Sequence, residues 1–321
     1  MAFVSVIIPC YKAQEHIHRC MEALEQQTYR DFEVILVDDA SPDDTLSVLE
    51  EYRARSPLAI TVTANEVNAG PAASRNRGIA LATGTYVAFC DSDDYYQPDY
   101  LERMVVQSDD GQADMVLCNS RKVTGNNTVD VPLFKGMSPT TDVRQVLALG
   151  VDSLCSLMVR REIATEVPLP PLRNGEDMAV IPLLIMRCGR FGFVEECIYN
   201  YVCRPGSLSL NAHNGVTQSL ERSFDYILEH RLPGFEQEIE FVGIKNLVYG
   251  GLLNHFKVQK DPTEAWSLLN RFEQRYPRWY DNRGIGSLPL FKKVFLHFAR
   301  VRWSAPLRLL CFVHRVLTEK E

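Results

Sequence analysis

The stretch VAFCDSDDYY, residues 87–96, sets three carboxylates within four positions directly behind an apolar run. Val87, Ala88 and Phe89 read as the end of a buried strand, so Asp91, Asp93 and Asp94 crowd at its tip. Like charges this close repel one another and resist desolvation, and the cluster calls for a compensating partner. What that partner is depends on the kind of sheet the strand belongs to, which the flanking sequence answers.

Outward from that stretch, strand and helix signals alternate. TYVAFC (85–90) is the strand itself, and GPAASRNRGIALATG (70–84) before it reads as a helix closed by Gly84. LAITVTA (58–64) and FEVILVDD (32–39) are further strands, the second again ending in acid. SPDDT then starts a helix, with Ser41 as N-cap and Pro42 in the first turn. Residues 15–27 place Ile17, Cys20, Met21 and Leu24 at helical spacing, and FVSVIIP (3–9) is a buried strand stopped by Pro9. ADMVLCN (113–119) is a fifth strand. Strands that are apolar throughout and alternate with helices indicate an α/β fold with a mostly parallel central sheet, covered on both faces. Ligands bind beyond the carboxyl ends of such strands. Asp39 and Asp91–Asp94 both fall there.

The signal changes after residue 150. SLCSLMV (153–159) and FGFVEECIYNYV (191–202) read as strands, and NGEDMAVIPLLIMRCG (174–189) as a turn and a helix. From about residue 215 onward the periodicity is helical: 216–231, 236–258, 262–275, and one or two more helices between 288 and 318, broken at Pro306. The expected division is a catalytic domain over 1–215 and a helical C-terminal region over 216–321.

Composition narrows the class. The chain has 321 residues, 46% hydrophobic and 23% charged, an ordinary globular balance large enough to bury a core without staples. A net charge of −7 argues against a general nucleic-acid partner. That charge is uneven: Arg275–Glu321 holds ten Lys and Arg against three Asp and Glu, leaving 24 against 38 in the rest. Nine scattered cysteines without a CxxC pair suit reduced thiols in a cytoplasm. The start MAFVSVIIPCYK has no basic n-region, so no signal peptide is expected, and no run of roughly 18 apolar residues suggests a membrane span.

Carboxylates at a strand end have a standard partner in a hard divalent cation, Mg²⁺ or Mn²⁺, which takes one or two carboxylates plus phosphate oxygens. Alternation along an extended segment puts Asp91 and Asp93 on one side of Asp91-Ser92-Asp93, a workable clamp. The plainer alternative is a solvated acidic turn. The position of the acids behind a buried strand, on the ligand edge, favours the cation.

Here the residues resemble a family. VSVIIPCYKAQEHIHRCMEALEQQTYRDFEVILVDDASPDDT, then NAGPAASRNRGIALATGTYVAFCDSDDYYQPDYLE, are similar to the nucleotide-sugar domain of the inverting family 2 glycosyltransferases of GT-A fold, and NGED at 174–177 to that family's acceptor-side motif. The resemblance covers residues 3 to about 210. It implies a bacterial surface-polysaccharide type of enzyme that uses a divalent metal and takes a UDP-sugar to a glycan or lipid-linked acceptor. Residue by residue, it implies that Pro9 and Tyr11 hold the nucleotide base, with Asp39 accepting from the uracil N–H and Glu15 a weaker member of that group. Asn68 and Arg75 match polar positions beside the nucleotide. Asp91 and Ser92 match the ribose side of the DxD, and Asp93 the metal ligand. Asp177 is the implied general base, with Glu176 beside it able to raise its basicity. In YNYVCRPGSLSLNAH (199–213), Arg204, Ser207 and Ser209 resemble groups that fold over the diphosphate.

Each role has a plainer alternative. Asp39 would cap a helix, Tyr11 would be core, Arg75 would be solvated or paired with an acid, and the acids of GED would only favour a helix dipole. Asp94 has no role beyond capping the turn before Pro98. Two other functions are alternatives: a haloacid-dehalogenase-type phosphatase using Asp91 and Asp93, in which Tyr95 stands where Thr or Val is expected, and a non-catalytic sugar-binding relative. Neither GxxxxGK nor GxGxxG occurs. The basic, aromatic run LPLFKKVFLHFARVRWSAPLRLLCFVHRVL (288–317) suggests a peripheral contact at the inner face of a membrane, against the alternative of a helix packed on the protein with a solvated basic face.

Overall fold

The computed structural model describes residues 2–172, 174–204, 216–259 and 261–318. They form two compact units, one from residues up to 143 together with 151–204, the other from 144–150 together with the described residues beyond 204.

The first unit is built on one mixed sheet. Strands β1 (Val4–Cys10), β2 (Phe32–Asp38), β3 (Ala59–Ala64) and β4 (Tyr86–Phe89) alternate with helices α1 (Ile17–Glu25), α2 (Thr45–Arg55) and α3 (Pro71–Leu81). After β4 come the two-residue strand β5 (Tyr95–Tyr96), α4 (Tyr100–Gln107), the hairpin β6 (Met115–Thr124) and β7 (Asn127–Val131), then α5 (Val143–Leu149). β8 (Leu157–Arg160), α6 (Arg161–Glu166), α7 (Glu176–Arg187) and β9 (Phe191–Val202) complete the unit. The sheet order is β3-β2-β1-β4-β8-β6-β9-β5, with β7 on β6. β1–β4, β6 and β9 run in one direction, and β5, β7 and β8 run against them. The carboxyl ends of β1, β2 and β4 therefore share one edge. β1, β2 and β4 are almost wholly buried, as β-branched runs covered on both faces should be.

Four local readings need correction. β1 continues through Pro9 to Cys10; its pairing with β4 ends at Ile7, so a missing N–H at Pro9 costs no bond on that side. α2 starts at Thr45, not behind Ser41, whose Oγ instead accepts from the Lys12 N–H (3.1 Å). α3 ends at Leu81 rather than at Gly84; a Cβ at Gly84 would lie 2.7 Å from the Ser5 backbone nitrogen, so glycine serves close packing on β1. SLCSLMV is a tight 3₁₀ turn (Leu154–Ser156) leading into β8, not a continuous strand.

The second unit is helical: α8 (Val216–His230), α9 (Glu236–Gly243), a π-helical turn (Ile244–Gly251) running straight into α10 (Leu252–Val258), α11 (Thr263–Arg275), α12 (Leu290–Arg300) and α13 (Ser304–Thr318). Residues 144–150, which include most of α5, join it, with Arg144 donating to the Gly234 carbonyl and Lys245 to the Leu149 carbonyl. Pro306 does not break the terminal pair. It sits in the first turn of α13, where a missing N–H is harmless, and the break is at Val301–Trp303 with Arg302 at φ 54°. No helix among the described residues is long and apolar enough to cross a membrane.

Candidate active site

The carboxyl edge of the first unit collects nearly every residue singled out from the sequence. Behind β1, the segment 11–16 is pinned to the start of α2: Thr45 Oγ1 accepts from the Ala13 and Gln14 amides at 2.8 and 3.2 Å. Lys12 and Ala40, the turn residues behind β1 and β2, both hold positive φ (51° and 53°), a strained conformation kept only where the surroundings fix it. Tyr11 is 44% exposed, so it is a surface ring and not a core aromatic. Glu15 and Asn68 are exposed, Pro9 and Ser92 half-buried.

Asp39 is buried and fixes the loop before α3. Its Oδ1 accepts from Asn65 Nδ2 (2.8 Å) and the Ala69 amide (3.0 Å), and its Oδ2 from the Gly70 amide (2.7 Å). Oδ2 thus keeps capacity for a further donor. Asn65, which carries no sequence signal of its own, is the asparagine that touches Asp39, whereas Asn68 is exposed.

The acids of 91–94 divide by environment. Asp91 Oδ1 accepts from Arg75 Nη2 at 2.8 Å. Asp93 Oδ2 accepts from Arg204 Nε, and the Asp93 carbonyl from Arg19 (2.8 Å). Asp94 is buried, accepting from the Val202 amide (2.7 Å) and the Tyr199 hydroxyl. Burial, then the neighbouring Asp91 charge, push its carboxyl up to about 8, against those two hydrogen bonds. Asp94 therefore ties the end of β9 to the acidic turn, a role the sequence did not suggest.

Arg75, on α3, is the centre of the site. It is 4% exposed, and besides Asp91 it donates through Nη1 to Glu176 (2.8 Å) and Asp177 (3.4 Å). The side chain is thus buried and paired with acids, not solvated. Burial alone would lower its pKa, but Asp177, Asp91 and Glu176 together raise it. Glu176 and Asp177 form the first turn of α7, whose N-cap Gly175 holds φ 87°, a left-handed turn that favours glycine. Asp177 Oδ2 accepts from the Leu154 amide (3.2 Å). Desolvation raises the Asp177 carboxyl to about 7; Arg75 opposes the rise, and Glu176 and Asp91 add to it. A carboxylate poised near 7 is suited to proton transfer.

Arg204 reaches His16 Nε2 (3.2 Å) as well as Asp93. Ser207, and Ser209 with it, lie outside the described residues. The ligand atoms of Asp91, Asp93 and Asp94 lie within 4.8 Å of one another. Asp94 has both oxygens engaged, whereas Asp91 Oδ2 and Asp93 Oδ1 accept nothing among the described residues. An all-oxygen pair with one spare oxygen each fits a hard divalent cation.

Sheet topology and acid-rich edge together define an α/β protein with its acids gathered at the strands' carboxyl ends, and comparison with known proteins makes the class specific. Residues 5–167 match the model of glycosyl transferase family 2, and the chain belongs to that family. It is 32% identical over 206 residues to a poly(ribitol-phosphate) beta-glucosyltransferase of Bacillus spizizenii, covering 63% of this chain and 32% of that one. It is 25% identical over 315 residues to the poly(ribitol-phosphate) beta-N-acetylglucosaminyltransferase TarS of Staphylococcus aureus, covering 93% of this chain and 53% of that one. Both relatives extend well beyond the part matched. The crystal structure of S. aureus TarS 1-349 in complex with UDP-GlcNAc superposes with a TM-score of 0.70 at 23% identity, covering 98% of this chain and 92% of that one. The fold is the GT-A fold that the motifs implied, and the family sets aside the haloacid-dehalogenase alternative.

Proposed function

We propose that this protein is a metal-dependent inverting glycosyltransferase that moves a sugar from a UDP donor to a hydroxyl of a glycan or lipid-linked acceptor. The observation that carries the reading is Arg75, which holds the DxD acid Asp91 and the candidate base Asp177 on one guanidinium. Donor side and base side are thereby joined, with the basicity of Asp177 set near neutrality. TarS, crystallised with UDP-GlcNAc, supports a UDP-sugar donor.

In this reading Asp39 accepts from the base, Tyr11 offers it a flat exposed face, and Pro9, Glu15 and Asn68 line the same side. Asp91 and Ser92 face the ribose. Asp91 and Asp93 hold a Mn²⁺ or Mg²⁺ ion, which when bound offsets diphosphate charge as a Lewis acid. Asp177 takes the proton from the acceptor hydroxyl as it attacks the anomeric carbon, and the diphosphate leaves from the opposite face. Arg204, and Ser207 in the sequence beyond it, complete the diphosphate side. A screen of UDP-sugars for UDP release, with Mn²⁺ or Mg²⁺ and cell-envelope glycans as acceptors, tests the reading. UDP that fails to bind with either metal, measured by calorimetry, would overturn it.

A further inference from the structure

Residues 288–318 hold six Lys and Arg and no Asp or Glu. They fold as an antiparallel pair, α12 and α13, with Phe291 5.9 Å from His314 and Phe298 5.8 Å from Trp303 between ring centres. α13 buries Leu307 and Cys311, the Cys311 thiol directed at the Leu253 carbonyl. Its other face is apolar as well. Ala305, Leu309 and Val313 recur every fourth residue, Leu309 64% and Val313 38% exposed. The joint adds Val301 (53%) and Trp303 (59%), and α12 opens with Leu290 (76%). A helix apolar on both faces asks for an apolar medium on the second.

Three cations of α12 rest on rings and a carbonyl. Lys292 lies 4.9 Å above the Tyr249 ring, Arg300 3.6 Å above Tyr280, and Lys293 donates to the Gly286 carbonyl (2.6 Å). Among the described residues no carboxylate pairs with these three, whereas Arg302 is paired with Glu273 at 2.7 Å. A second copy of the chain would bring like charge to like charge. An anionic lipid surface offers opposite charge at the headgroups and an apolar layer behind them.

We infer that the α12–α13 hairpin docks reversibly on anionic lipid, with Leu309, Val313, Val301 and Trp303 entering the interface and Lys292, Lys293 and Arg300 at headgroup level. The inference goes beyond the enzymatic reading and stands without it, because vesicle binding and sugar transfer are measured separately. The test is co-sedimentation of the full chain with phosphatidylglycerol–phosphatidylcholine vesicles against pure phosphatidylcholine. The expected result is at least about tenfold stronger partition onto the anionic vesicles at low salt, lost at high salt, with a blue shift of tryptophan emission absent in Trp303→Phe. Leu309→Glu with Val313→Glu should abolish binding while leaving the circular dichroism unchanged. Absence of binding at low salt, equal binding to neutral vesicles, or wild-type binding by the double variant would overturn the inference. So would lipid-free self-association that buries Trp303, which would give the face to a second copy.

Discussion

Replacing Arg75 by methionine keeps an apolar stem in place and removes the cation shared by three carboxylates. Glu176 loses its partner where its side chain is 10% exposed, Asp177 at 21% and Asp91 at 38%. Breaking a buried ion pair costs about 3–5 kcal/mol, most of it uncompensated charge. Partial screening of Asp91 and Asp177 places Arg75→Met near the lower end, about 3 kcal/mol at pH 8. With a denaturant slope of about 3 kcal/mol per molar, the urea midpoint falls by about 1 M. The pH dependence follows in sign. Carboxyls that bind protons more tightly folded than unfolded make stability fall as pH rises through the window between the two affinities. Asp177, raised to about 7, already behaves this way, and Arg75 holds it down. Removing Arg75 moves its titration higher, so the penalty grows from pH 5 to pH 8, and the acidic limb of kcat/KM moves to higher pH. Urea titrations of both proteins at the two pH values, with a pH–rate profile of the variant, measure this. Equal destabilisation at pH 5 and pH 8 would show that the guanidinium is not the counter-ion of these acids.

Asp177→Asn should lower transfer by about 10²-fold or more, the scale of general base catalysis, with UDP affinity little changed by calorimetry. Wild-type kcat/KM should fall below about pH 7 as Asp177 takes up its proton. Asp93→Ala should weaken metal-dependent UDP binding and remove activity; excess EDTA should do the same to the wild type, and added Mn²⁺ or Mg²⁺ should restore it. Asp94, raised to about 8, makes the fold lose stability as pH rises from about 4 towards 8. Asp94→Asn, a stand-in for the protonated acid, should flatten the fall in thermal midpoint between pH 6 and pH 8.5.

Strands such as FEVILVDD, and the parallel sheet they form, were legible because a covered parallel strand must be apolar throughout, a signal that needs no tertiary information. Asp39 and Asp91 were legible for the same reason, as acids at the tips of such strands. The links between them were not. Arg75 and Glu176 stand 101 residues apart, and a basic residue on a helix reads alike whether solvated or buried among acids. Asp94 stayed without a role because its partners, Tyr199 and Val202, lie more than a hundred residues on, in the strand that closes the sheet. Asn65 was not legible because a loop carries no period to tell an inward side chain from an outward one. Misplaced boundaries at Gly84 and Pro306 share a cause: each residue was read for the backbone it can break, when its place was set by what packs beside it or by the turn it occupies. Local pattern thus located the edge where chemistry gathers. The shared counter-ion that lets three carboxylates, Asp91, Glu176 and Asp177, stand together there is a property of the folded sheet and of the helix packed over it.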